Sequence, residues 1–373
     1  MDDVARGGRG ELAATFALAE VPGIGSARLR TLVAAFGSAG GALQAPHAAI
    51  AALPGFTRAA ATAIRGCSLR RGDAILADLD RLGARAMLPD DPAFPPLLQE
   101  IPEPPAVLFV WGDVTLLSKP AAAMVGSRNH SPYGAEAARI LAGGVARRAV
   151  VVSGMARGID AIAHEAALDA GGASVGVLGN GFGVIYPAAN RGLYERMIRA
   201  GCLVTELPPG ERPHAGAFPR RNRLVSGLAG ATVIIEAAVD SGALITADCA
   251  LDQGRPVLAV PGPITSPTSL GCNKLIQQGA KPALSAADVL EELGLETLAA
   301  VRDAPSAAGP RPTPADLDPL QRGLWDALQP EPRHVDALVA VGAGDTSRVL
   351  TALTEMELRG LVVQRPGMVF AVA

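Results

Sequence analysis

The chain has 373 residues, longer than most single domains, so two or three domains are expected, at least one with a substantial core. Apolar residues make up 49% and charged residues 18%; Gly, Pro or a charge interrupts every apolar run before the roughly 18 residues a membrane span needs. Net charge is −3, and Cys67, Cys202, Cys249 and Cys272 show no CxxC spacing, which argues against a zinc site or a disulfide framework.

In chain order, MDDVARGGRGE opens with two aspartates where a signal peptide carries a basic head, so a cytoplasmic protein with no membrane partner is expected. Residues 1–86 read as a small helical domain. VPGIGSARLRTLV from Val21 and LPGFTRAAATAI from Leu53 each place Pro-Gly ahead of a helix, the pattern of a helix-hairpin-helix or SAM-like domain. Such turns hold a DNA phosphate on helix amides, or simply connect helices, and both readings stay open.

Residues 87–298 alternate apolar runs with helical patterns. The runs are AAAMVG from Ala121, AVVVSG from Ala149, ASVGVLG from Ala173, CLVTEL from Cys202, ATVIIEA from Ala231 and PVLAVPG from Pro256. Unalternated runs of this length read as strands buried on both faces, and the repetition predicts an α/β fold: a Rossmann-like parallel sheet with flanking helices. Ligands of such sheets bind at the carboxyl ends of the strands. Here those ends are rich in Gly, Ser, Thr and Arg and poor in the acid-base residues catalysis needs. GNGFGV from Gly179 lacks the last glycine of a dinucleotide fingerprint, so no nicotinamide or flavin cofactor is expected.

A Pro/Ala-rich linker is expected at 299–316, followed by a winged helix at 317–373, from PLQRGLWDAL, HVDALVAV, TSRVLTALTEMELRGL and VVQRPGMVFAV. Charge is uneven: residues 119–290 hold 16 Lys and Arg against 12 Asp and Glu, whereas residues 291–373 hold 7 against 12. The acidic tail favours protein contact over duplex reading, which rests on phosphate neutralisation.

FPRRNRLVSGLA from Phe218 sets Arg220, Arg221 and Arg223 in the first turn of a helix, where the macrodipole is already positive. A bound anion would resolve that conflict; so would carboxylates such as Glu206, Glu211 or Glu236. Arg128 in VGSRN and Lys274 in GCNKLIQQGA bring cations to the same sheet edge, a pattern suited to an extended polyanion. Arg220 and Arg223, three apart, share a helical face and are expected at the polyanion; Arg221, about 100° away, is expected in a structural ion pair.

VGSR, SGMARGIDAIAHEAAL, GNGFGVIYPAAN, FPRRNRLVSGLA, IIEAAVDSGALITA, VLAVPGPI and GCNKLIQQGA, in this order across about residues 90–290, resemble the DprA (Smf, DNA processing protein A) family. The resemblance implies a non-enzymatic recombination mediator of natural transformation. Such a protein binds incoming single-stranded DNA without sequence preference, protects it, loads the RecA recombinase, and forms homodimers through the Rossmann-like domain. It further implies a strand-binding pocket at Gly126, Ser127, Arg128, Phe218, Arg220, Arg221, Arg223, Asn273 and Lys274. Gly183 stands where the family usually has aspartate, and Cys272 where Thr or Ser is common.

Aromatic residues are only 3% of the chain, so Phe218 and Tyr186 are the base-stacking candidates and phosphate contacts should dominate affinity. Gly154, Arg157, Gly179 and Gly181 are candidate phosphate or loop contacts, GNGFG as a backbone nest. Asp160 is read as capping a helix or orienting Arg157, and His164 as structural, with no third ligand for a metal. The alternative is a nucleotide-processing enzyme related to the LOG phosphoribohydrolases. Against it, EAAVDSGALITA replaces their PGGxGTxxE loop, and Glu236 precedes the glycine turn.

Overall fold

The computed structural model describes residues 2–295, 317–329, 332–342, 344–365 and 368–372; the linker expected at 299–316 lies outside the described residues. Two compact units divide the chain, Met1–Glu296 and Thr297–Ala373. The boundary expected at 86/87 therefore falls inside the first unit.

Six helices open the first unit: α1 (Asp2–Ala19), α2 (Ser26–Phe36), α3 (Ala39–Gln44), α4 (His47–Ala51), α5 (Arg58–Gly66) and α6 (Leu69–Leu82). Leu18, Leu32, Ile50 and Ile64 fill their core. The two Pro-Gly segments form the turns before α2 and α5, where Gly23 and Gly55 take φ of 83° and 79°, values that favour glycine.

A nine-stranded sheet follows, with β1 (Arg85–Met87), β2 (Leu108–Gly112), β3 (Ala121–Gly126), β4 (Val150–Ser153), β5 (Ser174–Val177), β6 (Cys202–Thr205), β7 (Ala231–Glu236), β8 (Val257–Ala259) and β9 (Lys281–Pro282). Its order is β1-β2-β6-β5-β4-β3-β7-β8-β9. Every pair from β6 to β9 is parallel; β2 joins β6, and β1 joins β2, antiparallel. The six apolar runs each become a parallel strand, and the antiparallel edge is an addition to the sheet expected from those runs.

The intervening helices are α7 (Pro96–Gln99), α8 (Pro132–Ala146), α9 (Ile159–Asp169), α10 (Arg191–Ala200), α11 (Ala217–Gly227), α12 (Gly242–Asp252), α13 (Leu270–Gln277) and α14 (Ala286–Glu292). Successive β3 residues serve opposite faces, as strand geometry requires. Ala122 and Met124 pack under α8, α9 and α14, while Ala121, Ala123 and Val125 pack under α11, α12 and α13. Each such face removes fully buried Val, Leu and Ile side chains from water, about 1.5–3 kcal/mol apiece.

The second unit carries α15 (Pro319–Leu328), α16 (Val335–Val339) and α17 (Thr346–Leu358), with a sheet of β10 (Arg333–His334), β11 (Val362–Arg365) and β12 (Val369–Val372) in the order β10-β12-β11. This is a winged helix around Leu324, Trp325, Leu353 and Phe370. No helix among the described residues is long and apolar enough to cross a membrane.

Candidate nucleic-acid interface

From β3 the chain winds outward through β4 to β6 on one side and through β7 to β9 on the other, which makes the β3/β7 carboxyl ends a topological switch point. A cavity of about 450 Å³ opens there, lined by Gly126, Ser127, Arg128 and Asn129 after β3, by Ala238 to Ala243 (Val239 excepted) after β7, and by Phe218, Arg221 and Asn222 of α11. A second cavity, about 230 Å³, adjoins it and is walled by Gly154, Met155, Ala156 and Arg157 after β4, by Leu178, Gly179 and Asn180 after β5, and by Tyr186 and Tyr194. Arg128, Gly154, Ala156, Phe218 and Arg221 border both.

Phe218 is the partition. Its half-buried ring lies 5.6 Å from the Tyr186 ring, centroid to centroid, at 37°, and the Arg128 guanidinium sits 5.6 Å from its centroid. The Tyr194 hydroxyl donates to the Tyr186 carbonyl at 3.1 Å, which fixes this stack from behind. Gly179 admits the ring: a Cβ there would stand 2.9 Å from Phe218 Cδ1.

Arg221 forms the floor. It is only 6% exposed, and its Nη1 donates to the Val177 carbonyl at 2.8 Å while Nε has no partner. Asp160, also buried, is the nearest counter-charge; burial pushes its carboxyl up and the Arg221 charge opposes that rise. Burial likewise lowers the Arg221 pKa, with Asp160 opposing. Each charge thus favours the other's ionised form against the cost of burial, and the Arg221 Nε is left buried without a partner.

The three arginines thus divide differently from the expectation. Arg223, not Arg221, makes the structural ion pair: its Nη2 contacts Glu206 in a pair whose side chains are 12% and 10% exposed, and its Nη1 donates to the Glu103 carbonyl at 2.7 Å. Arg220 shares that face, as three-residue spacing requires, and reaches the same Glu206 at 4.0 Å, yet its side chain remains 57% exposed. Which residue of the trio is buried depends on which side of α11 meets the sheet, and a helical wheel alone does not contain that. Arg255, unmarked by any motif in the sequence, donates from Nη1 to the Ser226 and Ala229 carbonyls, both at 2.8 Å, and so satisfies the carboxyl end of α11.

The loops are glycine-shaped. A Cβ on Gly126 would come within 2.8 Å of Ile159 Cγ1, and one on Gly158, at φ 89°, within 2.8 Å of Arg128 Cα. Met155 takes φ 56°, a strained value for a side-chain-bearing residue. Asn190 steadies it by donating to the Met155 and Ala156 carbonyls at 3.0 and 3.3 Å. Ser127 N–H donates to the Glu236 carbonyl at 2.7 Å and its Oγ accepts from Asn129 N–H at 3.1 Å. Arg157 donates to Asn129 Oδ1 at 2.6 Å, tying the loops after β3 and β4 together. Asp160 faces Arg221 and Ala156 N–H rather than Arg157.

Two expected contacts are engaged elsewhere. Gly181 N–H donates to the Glu211 carbonyl at 2.9 Å, and a Cβ on Gly181 would overlap Pro208, so this part of GNGFG packs against the 208–211 turn instead of forming an open nest. Gly183 has φ 85°, which accounts for glycine there. Asn273 exchanges both amide hydrogen bonds with the Gly262 backbone, at 3.0 and 3.1 Å. Lys274 is exposed and lines a further open groove with Val239, Ile264 and Leu270, Val239 lying between Ala238 and Asp240 of the 450 Å³ cavity wall.

Glu236, 2% exposed, accepts from Ser131 N–H at 2.9 Å at the start of α8, where a carboxylate complements the helix dipole. His164 is fully buried, and among the described residues no three His, Cys, Asp or Glu side chains gather to hold a metal.

The family model for DNA recombination-mediator protein A matches residues 85–294, and the DprA winged helix domain matches residues 308–368. Protein Smf of Escherichia coli K12 is 40% identical over 286 residues, 75% of this chain and 76% of that protein. DNA processing protein DprA of Bacillus subtilis is 45% identical over 202 residues, 54% of this chain and 68% of that protein. The X-ray structure of DNA processing protein A from Streptococcus pneumoniae superposes with TM-score 0.56 at 39% identity, covering 62% of this chain and 85% of that one. DNA processing protein A from Helicobacter pylori, a structure described for its unique single-stranded DNA binding mode, gives TM-score 0.51 at 28% identity over 56% of this chain and 95% of that one. With its Rossmann-like sheet, its cation-lined switch point and its winged helix, the chain belongs to the DNA recombination-mediator protein A family.

Proposed function

We propose that this chain is a cytoplasmic recombination mediator that holds single-stranded DNA without reading its sequence, protects it, and loads the RecA recombinase during natural transformation. The carrying observation is the Phe218 partition between two cavities, flanked by Tyr186 and Arg128 and floored by Arg221. A base stacks in such a cavity because every base has a π-face, and neighbouring phosphates meet exposed Arg128 and Arg220. In a duplex the bases are paired and unavailable, so shape alone selects the single strand. Arg157 serves by holding the Asn129 loop, and Ser127, Gly126 and Gly179 by keeping the backbone close.

Homodimerisation is assigned to the Rossmann-like domain, at the groove of Lys274. Val239, Ile264 and Leu270 are 61%, 85% and 42% exposed there, an apolar surface that a second copy would cover. Sedimentation checks this: Ile264→Arg should shift dimer to monomer, and an unchanged mass would remove the groove from the interface.

Fluorescence anisotropy of labelled mixed-sequence strands tests the binding reading. The wild type should prefer single strands to duplex, and Phe218→Ala should lose about 1–3 kcal/mol of binding, the worth of one stacked base. Equal affinity of wild type and Phe218→Ala would contradict it. Recombinase filament assembly on the bound strand, faster with the protein than without, is the expected mediator readout.

A further inference from the structure

The two cavities that meet at Phe218 differ in charge. Arg128 and Arg221 border both, but Arg157 borders only the 230 Å³ cavity, whereas Asp160 and Asp240 border only the 450 Å³ one. The smaller wall therefore carries three arginines and no carboxylate. Asp160 offsets Arg221 before any other cation, and Arg128 is the last of the influences on it. That leaves Arg128, over the Phe218 ring, and Arg157, whose Nη2 donates to the neutral Asn129 amide oxygen; both are exposed, and neither is paired with a carboxylate among the described residues. Two guanidinium charges stand uncancelled at one small cavity.

Its shape and remaining polar groups narrow what it can take. A base needs a free aromatic face, and Tyr186, which borders the smaller cavity and not the larger, already lies against Phe218 on this side. Asn180 and Tyr194 spend donors on the Val184 and Tyr186 carbonyls, at 2.7 and 3.1 Å, so the arginines are the main donors the wall presents. Beyond Leu178, Gly179 and Arg221 the space shrinks to about 30 Å³ beneath Arg220, room for about one water and too narrow for a polynucleotide backbone. Inward, the cavity is a blind end.

An internal phosphodiester carries a single negative charge, whereas a terminal phosphomonoester carries about −1.5 to −2 at pH 7 on three acceptor oxygens. Two free guanidinium forks at a blind cavity fit the second. We propose that the 230 Å³ cavity receives the terminal phosphate of a single strand, held by Arg128 and Arg157 above the Arg221 floor, while the adjoining base lies in the larger cavity against Phe218. Phosphorylated strand ends are then held more tightly than strand interiors, whatever their sequence. This end site rests on the single-strand reading of the Phe218 cavities and adds a position along the strand to it. Arg157 serves it twice, through the Asn129 tie and through its charge.

The test compares end groups on one mixed-sequence strand, labelled internally: a 5′-hydroxyl, a 5′-phosphate, the same 5′-phosphate capped as its methyl ester, and a 3′-phosphate. The wild type should bind one phosphorylated end about 10-fold more tightly than the hydroxyl, the worth of a charge-assisted hydrogen bond, and the methyl cap, which restores a single charge, should remove most of that gain. Whichever arm shows the gain, 5′ or 3′, assigns the polarity of the bound strand. In Arg157→Gln the ratio of phosphate to hydroxyl affinity should fall to about 2-fold or less, and Arg157→Lys, which keeps the charge without the fork, should retain part of it. Loss of the loop tie alone would weaken both strands equally and leave the ratio intact, so an unchanged ratio in Arg157→Gln would overturn the site. Equal wild-type affinity for every end group, or a capped end as tight as the free phosphate, would overturn it as well. Failure of the underlying reading looks different, because Phe218→Ala would then bind the hydroxyl-ended strand as well as wild type does.

Discussion

Gly154 and Arg221 compete for the same space: a Cβ at residue 154 would overlap the Nη1 of Arg221 and come within 2.6 Å of Asp160 Oδ2. The buried guanidinium is therefore seated by the absence of a side chain on the loop after β4. Gly154→Ala should expel it, costing about 1–3 kcal/mol of stability through overpacking and weakening strand binding in parallel. Gly143→Ala on α8 is the control, since its Cβ would meet nothing closer than Ala166 O at 3.7 Å. Chemical denaturation and anisotropy on both variants check the pair; full affinity in Gly154→Ala would remove Arg221 from the site.

Arg223 and Glu206 form a different kind of pair, nearly closed to solvent. Removing one partner of such a pair leaves a buried charge unmatched, at a cost of about 3–5 kcal/mol. Arg223→Ala should accordingly lower the melting temperature, while the fraction that remains folded keeps the wild-type salt slope for strand binding. A stable variant with a reduced slope would return Arg223 to the phosphate track.

His164 predicts a pH dependence. Burial, reinforced by the Arg221 charge, lowers its pKa from 6.5 to about 3, and the Ser174 hydroxyl, which donates to the Val151 carbonyl at 2.7 Å, accepts from Nδ1–H at 2.7 Å. The unfolded chain takes up a proton below pH ~6.5 that the folded chain refuses until about pH 3. Stability is thus fully present above the unfolded pKa and falls with pH by about 1.4 kcal/mol per unit in this window. Asp160, whose pKa is raised, contributes with the opposite sign. Comparing wild type with His164→Gln by urea unfolding at pH 7 and pH 5 isolates the histidine: the variant should lose the smaller amount on acidification.

Much of the fold is legible in the sequence because strands buried on both faces leave unalternated runs such as ATVIIEA, which becomes β7. The antiparallel edge leaves no such mark: Arg85–Met87 is too short for any period, as is the parallel strand Lys281–Pro282 at the other edge, and LFVWG shows its place only when it pairs with β6. Arg128 and Phe218 are visible from their glycine-rich neighbours. The partners that set their roles are not, since Glu206 lies 17 residues from Arg223 and Tyr194 meets Tyr186 through a loop. Asn180 and Asn190, whose amides hold loop carbonyls, are polar residues in loops with no periodic signal at all.

The central claim is that the Phe218 cavities and their exposed arginines hold a single strand by stacking and by phosphate contact. Its most direct test is the salt dependence of single-strand binding for wild type and for the double variant Arg128→Ala, Arg220→Ala, with duplex of the same sequence as competitor. A single-strand preference is predicted for the wild type. For the double variant the prediction is weaker binding, with a log–log salt slope reduced by about 0.7 for each phosphate that is no longer neutralised. An unchanged slope and affinity in the double variant, or a wild type that binds duplex as tightly as the single strand, would contradict it.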